Sequence, residues 1–185
     1  MRNEVRFSGF GGQGIILSAV IIGRAAVMYD NKFAVQTQVY GPEARGGASM
    51  SAVIIDNDPI LYPKVTTPDI YVIMSQEGFE KYGADAKEDA VMLIDSTLVH
   101  SRPKCRCIEI PATRQAKQVL GKDIVANIVM LGALVSATHV VTEAALEKAI
   151  LDSVPKGTEA LNQKAMKMGF ELAGAAPGGE RHEIT

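Results

Sequence analysis

Tryptophan is absent from this chain of 185 residues, tyrosine and phenylalanine number five each, and cysteine occurs only twice. A chain so poor in aromatic residues lacks the stacking surfaces of single-stranded nucleic-acid binders. The 19 basic and 21 acidic residues nearly balance, so no excess of positive charge favours nucleic acid as a partner. Two cysteines, Cys105 and Cys107, cannot alone hold an iron–sulfur cluster or a structural zinc, and we expect both to be reduced.

Apolar residues make up 47 % of the chain, yet no apolar run is long enough to cross a membrane. The longest, residues 15–29, is shorter than the ~20 residues that a membrane span needs, and it contains Arg24. The first residues also lack the apolar segment of a signal peptide. We therefore expect a cytoplasmic protein without a membrane span. The surplus of apolar residues favours a contact buried against other subunits, and a tight α/β core is the alternative explanation.

Four glycines within six positions form the most informative stretch of the sequence. A short apolar run ends at Phe7, the glycines follow at positions 9, 11, 12 and 14, and a long apolar segment begins at Ile15. This order predicts a strand, a tight turn and a buried helix. Glycine tolerates positive φ and lets a phosphate approach closely, and the first N–H groups of the helix would face an anion. The candidate ligand-binding residues of this turn are Gly11, Gly12, Gln13 and Gly14.

The same stretch matches the dinucleotide-binding pattern Gly-x-Gly-x-x-Gly in a strand-to-helix context. That pattern also needs a carboxylate at the end of the second strand to hold a ribose. The expected second strand, residues 32–39, contains no carboxylate, and Asp30 precedes it. A nicotinamide site is thus disfavoured. Two readings stay open: another ligand, or glycines that only pack the helix against the strand.

A second glycine-rich segment follows the second strand. Residues 41–49 include Arg45 and the pair Gly46 and Gly47, a composition typical of a structured loop. Arg45 and neighbouring backbone N–H groups are suited to a phosphate or a carboxylate, and the alternative is a surface arginine paired with Glu43. Because both loops follow successive strands, we expect them at one edge of the sheet, where ligands bind in open α/β folds.

The remaining sequence alternates between strand and helix patterns and then becomes helical. Further strands are predicted at 51–56, 69–75, 90–95 and 106–110, and helices at 76–87, 112–120, 124–137, 143–151 and 158–172. Ser75, Asp123 and Thr142 are the expected N-caps. Together these patterns predict a single α/β domain over residues 1–173, with three α/β/α layers, a mostly parallel or mixed sheet and a helical C-terminal part. Residues 174–185 are expected to be a disordered tail.

Reactive groups are scarce. His100, His139 and His182 are far apart in the sequence, and no lysine of a Walker motif follows the glycine turn. Asp95 ends a predicted strand, where a turn-capping role is commoner than ligand binding. Asn127 lies inside a predicted buried helix and must find partners there. The chain therefore offers anion-binding loops without an obvious acid, base, nucleophile or metal site, which suits a component of a larger active site.

Five motifs, in order along nearly the whole chain, resemble the gamma subunit of 2-oxoacid:ferredoxin oxidoreductases. They are the glycine turn 9–15, the segment Gln-Thr-Gln-Val-Tyr-Gly-Pro-Glu-Ala-Arg-Gly-Gly at 36–47, Ile-Pro-Ala-Thr at 110–113, Ala-Asn-Ile-Val-Met-Leu-Gly at 126–132, and Val-Pro-Lys-Gly-Thr at 154–158. The second motif looks most like the 2-oxoglutarate branch, although the pyruvate and branched-chain enzymes are similar.

The resemblance implies one subunit of an enzyme that oxidatively decarboxylates a 2-oxoacid, forms an acyl-CoA and passes electrons to ferredoxin. It implies thiamine diphosphate, Mg²⁺ and iron–sulfur clusters mainly on companion alpha, beta and ferredoxin-like delta subunits, with coenzyme A as co-substrate. By position, the glycine turn 11–14 would face the cofactor, and Arg45, Gly46 and Gly47 would face coenzyme A or a neighbouring subunit. Asn127 would support the first turn from behind. The isolated chain would be inactive. The competing hypotheses are a free-standing dinucleotide-binding protein and a purely structural assembly subunit.

Overall fold

A six-stranded mixed sheet forms the centre of the protein, in a computed structural model that describes residues 2–39, 47–84 and 86–176. The strands in chain order are β1 (Asn3–Phe10), β2 (Phe33–Val39), β3 (Ala48–Asp56), β4 (Ile70–Ile73), β5 (Val91–Asp95) and β6 (Arg106–Ile110). Their order across the sheet is β2-β3-β1-β4-β5-β6. The adjacent strands β1, β4, β5 and β6 run parallel to one another, whereas β3 is antiparallel to both β1 and β2. The predicted α/β class with a mixed sheet is confirmed.

Helices cover both faces of this sheet, because parallel strands need apolar cover on each side. The helices are α1 (Ile15–Arg24), α2 (Gln76–Tyr82), α3 (Ala112–Val119), α4 (Ala126–Thr138), α5 (Glu143–Ser153) and α6 (Glu159–Ala175). The larger core joins α1, α4, α5 and α6 to inward-facing strand residues such as Phe7 and Val72. A smaller core on the other face packs Phe79 of α2 near Tyr71 and Ile94. All four residues of β4 are buried, as expected for a strand covered on both faces.

Two of the predicted helix caps are present. The Ser75 hydroxyl accepts a hydrogen bond from Gly78 N at 3.0 Å, and Thr142 Oγ1 accepts one from Ala145 N at 3.2 Å. Asp123 as an N-cap is wrong: residues 123–125 form a short 3₁₀ turn and α4 begins only at Ala126, without a side-chain cap.

Three helix boundaries also differ from the prediction. α1 ends at Arg24 and continues as a π-helical turn over Ala25–Tyr29, which closes with a bond from Asp30 N to Ala25 O. α2 ends five residues early, at Tyr82, next to Gly83, a residue that favours helix ends. α6 extends to Ala175, two residues into the segment predicted as a tail, and residues 177–185 lie outside the described part of the chain. Among the described residues, no helix has the length and apolarity to span a bilayer.

Candidate functional site

The glycine turn between β1 and α1 depends on the backbone freedom of two of its glycines. Gly12 has φ +96° and Gly14 has φ +74°, in the left-handed region that side chains disfavour. Gly14 is the N-cap of α1, and its carbonyl accepts the first helical bond from Ser18 N at 2.8 Å. Within the described ranges no side chain caps this helix, so its first N–H groups are available to a ligand.

Gln13 holds the turn against the neighbouring strand. Its Oε1 accepts a hydrogen bond from Phe10 N at 2.6 Å, and its Nε2 donates to the carbonyl of Met74, just after β4, at 2.9 Å. Gly9 makes room for this arrangement, because a Cβ there would lie 2.5 Å from Gln13 Oε1. Both ends of the Gln13 amide are therefore occupied by the protein, and its role in the turn is to fix the loop.

Asn127, on the first turn of α4, lies directly behind Gly14. A Cβ built on Gly14 would be 2.4 Å from Asn127 Nδ2, so the two residues meet only because position 14 has no side chain. Asn127 is 4 % exposed, and its amide makes no hydrogen bond to any residue that the structure describes. The Asn127 amide atoms are not sealed off from solvent, so they can bond to water or to a ligand. This amide borders a cavity.

The cavity beside Gly14 and Asn127 has a volume of about 350 Å³. Three helix N-caps line it: Gly14 of α1, Val125 of α4 and Thr158 of α6. None of these caps accepts a hydrogen bond from a backbone N–H of its helix through its side chain, although Thr158 Oγ1 accepts one from the Asn162 side chain at 3.1 Å and Ala126 N is bonded to the Asp123 carbonyl. Three partially positive helix ends therefore face one space. Lys122 adds a positive charge at its edge, and the other walls are largely apolar. The electrostatics of this space favour an anionic group.

A second cavity, of about 480 Å³, adjoins the first across Gly12 and Ile124 and extends over the ends of β1 and β4. The charged residues lining the two cavities, within the described ranges, are Lys122 and Asp123. Asp95, at the end of β5, is fully buried and accepts bonds from Thr97 N and Thr113 N, both at 3.0 Å. It therefore caps a turn, as predicted, and in addition the start of α3. The two cavities offer binding groups rather than a nucleophile or a general base held next to one.

The strands that precede the two predicted ligand loops, β1 and β2, end on the same side of the sheet. β2 runs in the direction of β1, and their last residues, Val39 and Phe10, pair with Met50 and Ala48 at the start of β3. Gly47 immediately precedes this pairing. Arg45 and Gly46 lie outside the described residues, so their predicted roles stay predictions.

The sheet order argues against a dinucleotide site. In that fold the strand with the ribose-binding carboxylate lies next to the first strand and parallel to it. Here the antiparallel strand β3 separates β2 from β1, and β2 carries no carboxylate. The strand–turn–helix unit is therefore shared with dinucleotide-binding proteins, but the rest of their ribose site is missing.

Sequence reasoning missed two contributors to the first cavity. Asn162 on α6 is 5 % exposed and lines it, with Nδ2 donating to the Thr158 carbonyl at 2.9 Å. Lys122 comes from the turn before α4. The Val-Pro-Lys-Gly-Thr motif pointed to this corner, but it gave no indication that α6 would be packed beside the glycine turn.

Fold and site together define an α/β domain that presents an anion-binding cavity and relies on other groups for chemistry. A model of the family described as "Pyruvate ferredoxin/flavodoxin oxidoreductase" matches residues 4–172. The chain is 56 % identical over 177 residues to the 2-oxoglutarate synthase subunit KorC of Methanocaldococcus jannaschii, covering 94 % of this chain and 95 % of that protein. The chain therefore belongs to the pyruvate ferredoxin/flavodoxin oxidoreductase family.

Solved structures agree with this assignment. The keto/oxoacid ferredoxin oxidoreductase gamma subunit from Geobacter sulfurreducens matches with a TM-score of 0.87 and 47 % identity, over 96 % of this chain and 99 % of that chain. A 2-oxoglutarate:ferredoxin oxidoreductase from Magnetococcus marinus, solved with 2-oxoglutarate, coenzyme A and succinyl-CoA bound, has the same fold. The TM-score is 0.83 at 22 % identity. The match covers 100 % of this chain and only 33 % of the longer one. The predicted resemblance to an oxidoreductase gamma subunit is confirmed.

Proposed function

We propose that this chain is the gamma subunit of a complex that oxidatively decarboxylates 2-oxoglutarate, forms an acyl-CoA and passes two electrons to ferredoxin. The choice of 2-oxoglutarate is supported by the 56 % identity to a 2-oxoglutarate synthase subunit over nearly the full length of both chains. Thiamine diphosphate, Mg²⁺ and iron–sulfur clusters would belong to the alpha, beta and ferredoxin-like delta subunits. In such a complex, thiamine diphosphate supplies the carbon nucleophile that attacks the 2-oxoacid. This chain would act in the later step that needs coenzyme A, and the complex would work in the cytoplasm.

The observation that carries the coenzyme A role is the Asn127 amide, buried behind Gly14 without a described protein partner. Coenzyme A combines phosphate groups with an amide-containing, largely apolar arm. The first cavity offers matching features: three uncapped helix N-termini and Lys122 for negative charge, and the Asn127 amide and apolar walls for the arm. Gly12, which has open space where a Cβ would lie, would let the ligand approach the backbone.

The division of labour follows from these contacts. The glycine turn and Asn127 would orient coenzyme A, so that its thiol reaches an acyl group held on a companion subunit. Gln13 would act indirectly, by holding the turn through Phe10 and Met74. Arg45, Gly46 and Gly47 would face coenzyme A or a neighbouring subunit at the same sheet edge.

Asn127→Asp in the reconstituted complex tests this role. The change keeps the size of the side chain but replaces two N–H donors with a negative charge beside a phosphate-binding space. Since a hydrogen bond to a charged group contributes about 1.5–3 kcal/mol, the Kd for coenzyme A should rise by roughly 10- to 150-fold. Decarboxylation of 2-oxoglutarate in the absence of coenzyme A, which does not use this cavity, should keep its rate.

Asn57→Asp is the matched control. It introduces the same negative charge, and Asn57 is exposed in the turn after β3. It should leave coenzyme A affinity unchanged. An unchanged Kd in an intact Asn127→Asp complex would mean that the chain serves assembly alone. Comparing 2-oxoglutarate, pyruvate and a branched-chain 2-oxoacid in the same complex tests the substrate, and faster turnover of either alternative would contradict the 2-oxoglutarate assignment.

A further inference from the structure

An exposed apolar band runs along α1 and the π-helical turn that follows it. Its members are Leu17 (38 % exposed), Val20 (37 %), Val27 (46 %) and Met28 (67 %), and we call it the α1 band. Leu17 and Val20 are three residues apart and so lie on one side of the helix. Val27 and Met28 continue the band in the π-helical turn. Single exposed apolar residues are ordinary, but a contiguous band of large ones indicates a contact surface.

The band is continuous with two other features. At one end Leu17 also lines the first cavity, together with Gly12 and Gly14. Along its side, a groove connects Val20, Val27 and Met28 to Ala34 and Gln36 of β2. The band thus leads from the proposed coenzyme A site to the outermost strand of the described sheet.

Strand β2 is an edge of the sheet, and the part of the chain that the structure describes gives it none of the usual protection against pairing with another strand. It is seven residues long, it is the outermost strand on one side of the described sheet, and it contains neither proline nor a charged residue. Natural edge strands are normally protected by charges, proline or a bulge. Phe33, 46 % exposed at its start, adds further apolar area.

The nearest basic side chains are held by hydrogen bonds to the protein, although Arg24 is exposed and lines the groove beside the band. Arg24 Nη1 donates to the Asp152 carbonyl at 3.1 Å and to Ser153 Oγ at 3.4 Å, both at the end of α5. Lys32 Nζ donates to the Val140 carbonyl at 3.0 Å. The surface between them combines the apolar α1 band with the polar side chains of Gln36, Thr37 and Gln38 on β2.

We propose that the α1 band and the β2 edge are the surface on which the companion subunit carrying the reactive cofactor docks, an inference that rests on the proposed function. The cavities supply no reactive group, so a second polypeptide must reach their edge, and at that edge Leu17 is already part of the band. The fold also occurs as a third of a longer chain in the Magnetococcus marinus protein, where the domain is covalently joined to further polypeptide. The partner surface should be apolar and should include an extended segment able to pair with β2.

The test is co-expression of the whole complex with this chain tagged and carrying Val20→Glu and Met28→Glu. Both side chains are exposed, so the variant chain should fold and melt like the wild type. Recovery of the companion subunits should fall at least tenfold. Leu61→Glu, at a residue 94 % exposed in the segment between β3 and β4, introduces the same charge off the band and should leave recovery unchanged.

A photo-crosslinking residue identifies the occupant. At position 28 it should give an adduct with a companion subunit, and at position 61 it should give none. An adduct between two copies of this chain, or normal assembly of the Val20→Glu, Met28→Glu variant, would overturn the inference. If the Val20→Glu, Met28→Glu variant assembles normally while Asn127→Asp weakens coenzyme A binding, the docking surface is rejected and the proposed function is retained. If the Val20→Glu, Met28→Glu variant fails to assemble while Asn127→Asp leaves coenzyme A binding unchanged, the docking surface is retained and the proposed coenzyme A role is rejected.

Discussion

Gly132 of α4 and Gly169 of α6 bring the backbones of their two helices into direct contact. A Cβ on Gly132 would lie 2.1 Å from the Met166 carbonyl oxygen, and a Cβ on Gly169 would lie 2.0 Å from that of Val129. The close crossing of α4 and α6 therefore requires glycine at both positions. It matters for the site because α4 carries Asn127 at its start and α6 begins with Thr158, both on the first cavity.

Gly132→Ala and Gly169→Ala should each destabilise the chain strongly. The added methyl group meets backbone atoms that cannot turn aside, so we expect a loss of about 3 kcal/mol or more in the free energy of unfolding. Gly174→Ala, on the same α6 helix but with open space around it, should instead be neutral or slightly stabilising. Denaturant unfolding of the three variants measures this, and equal stabilities would contradict the close crossing.

Gln13→Glu should loosen the glycine turn. The substitution removes the donor to the Met74 carbonyl and brings a carboxylate oxygen towards that carbonyl, which should cost about 1–3 kcal/mol. Gln118→Glu, an exposed change on α3, should stay within about 0.5 kcal/mol of the wild type. Thermal unfolding separates the two, and a Gln13→Glu variant as stable as Gln118→Glu would show that the bond to Met74 contributes nothing.

Asp95→Asn should destabilise the end of β5 and the start of α3 together. Each carboxylate oxygen accepts a backbone bond, one from Thr97 N and the other from Thr113 N, so an amide must turn an N–H₂ group towards one of these donors. We expect a cost of about 1–3 kcal/mol. Asp58→Asn, in the exposed turn after β3, is the matched control. Faster amide exchange at both Thr97 and Thr113 in the variant would confirm the shared cap, and unchanged exchange would refute it.

Both thiols should react slowly in the folded protein. Burial raises the pKa of Cys105, and burial with the nearby Glu109 carboxylate raises the pKa of Cys107 to about 11. Against an ordinary value of 9.0, Cys107 should have roughly 100-fold less thiolate at pH 8, and alkylation should slow accordingly. Iodoacetamide labelling of a Cys105→Ala variant, folded and in denaturant, measures this for Cys107 alone, and equal rates in the two states would contradict it.

The same shift predicts the direction of a pH effect on stability. Because the pKa of Cys107 is higher in the folded state, its neutral thiol stabilises the fold below pH ~9, and this contribution is lost as the pH rises towards 11. The free energy of unfolding should therefore fall more steeply above pH ~9 in the wild type than in Cys107→Ala. Parallel pH profiles would show that the thiol environment is the same in both states.

The sequence by itself determined the local elements: the strand, glycine turn and helix from Val5 to Arg24, the caps at Ser75 and Thr142, and the strand at Arg106–Ile110. These follow from apolar periodicity and from the backbone freedom of glycine, which act between residues near one another in the chain. The motifs also predicted the family, because five of them occur in the expected order. The role of Asp95 followed from its position at the end of a strand.

Tertiary structure alone decided how distant segments meet. It inserted β3 between β1 and β2, which removes the neighbour that a ribose site requires. It also placed the Gln13 amide where it donates a hydrogen bond to the Met74 carbonyl. It brought the starts of α1, α4 and α6 to one cavity. Gly14 and Asn127 are over a hundred residues apart in the sequence, and they meet closely because position 14 has no side chain. Such contacts depend on the packing of whole helices and strands, a property that no short stretch of sequence contains.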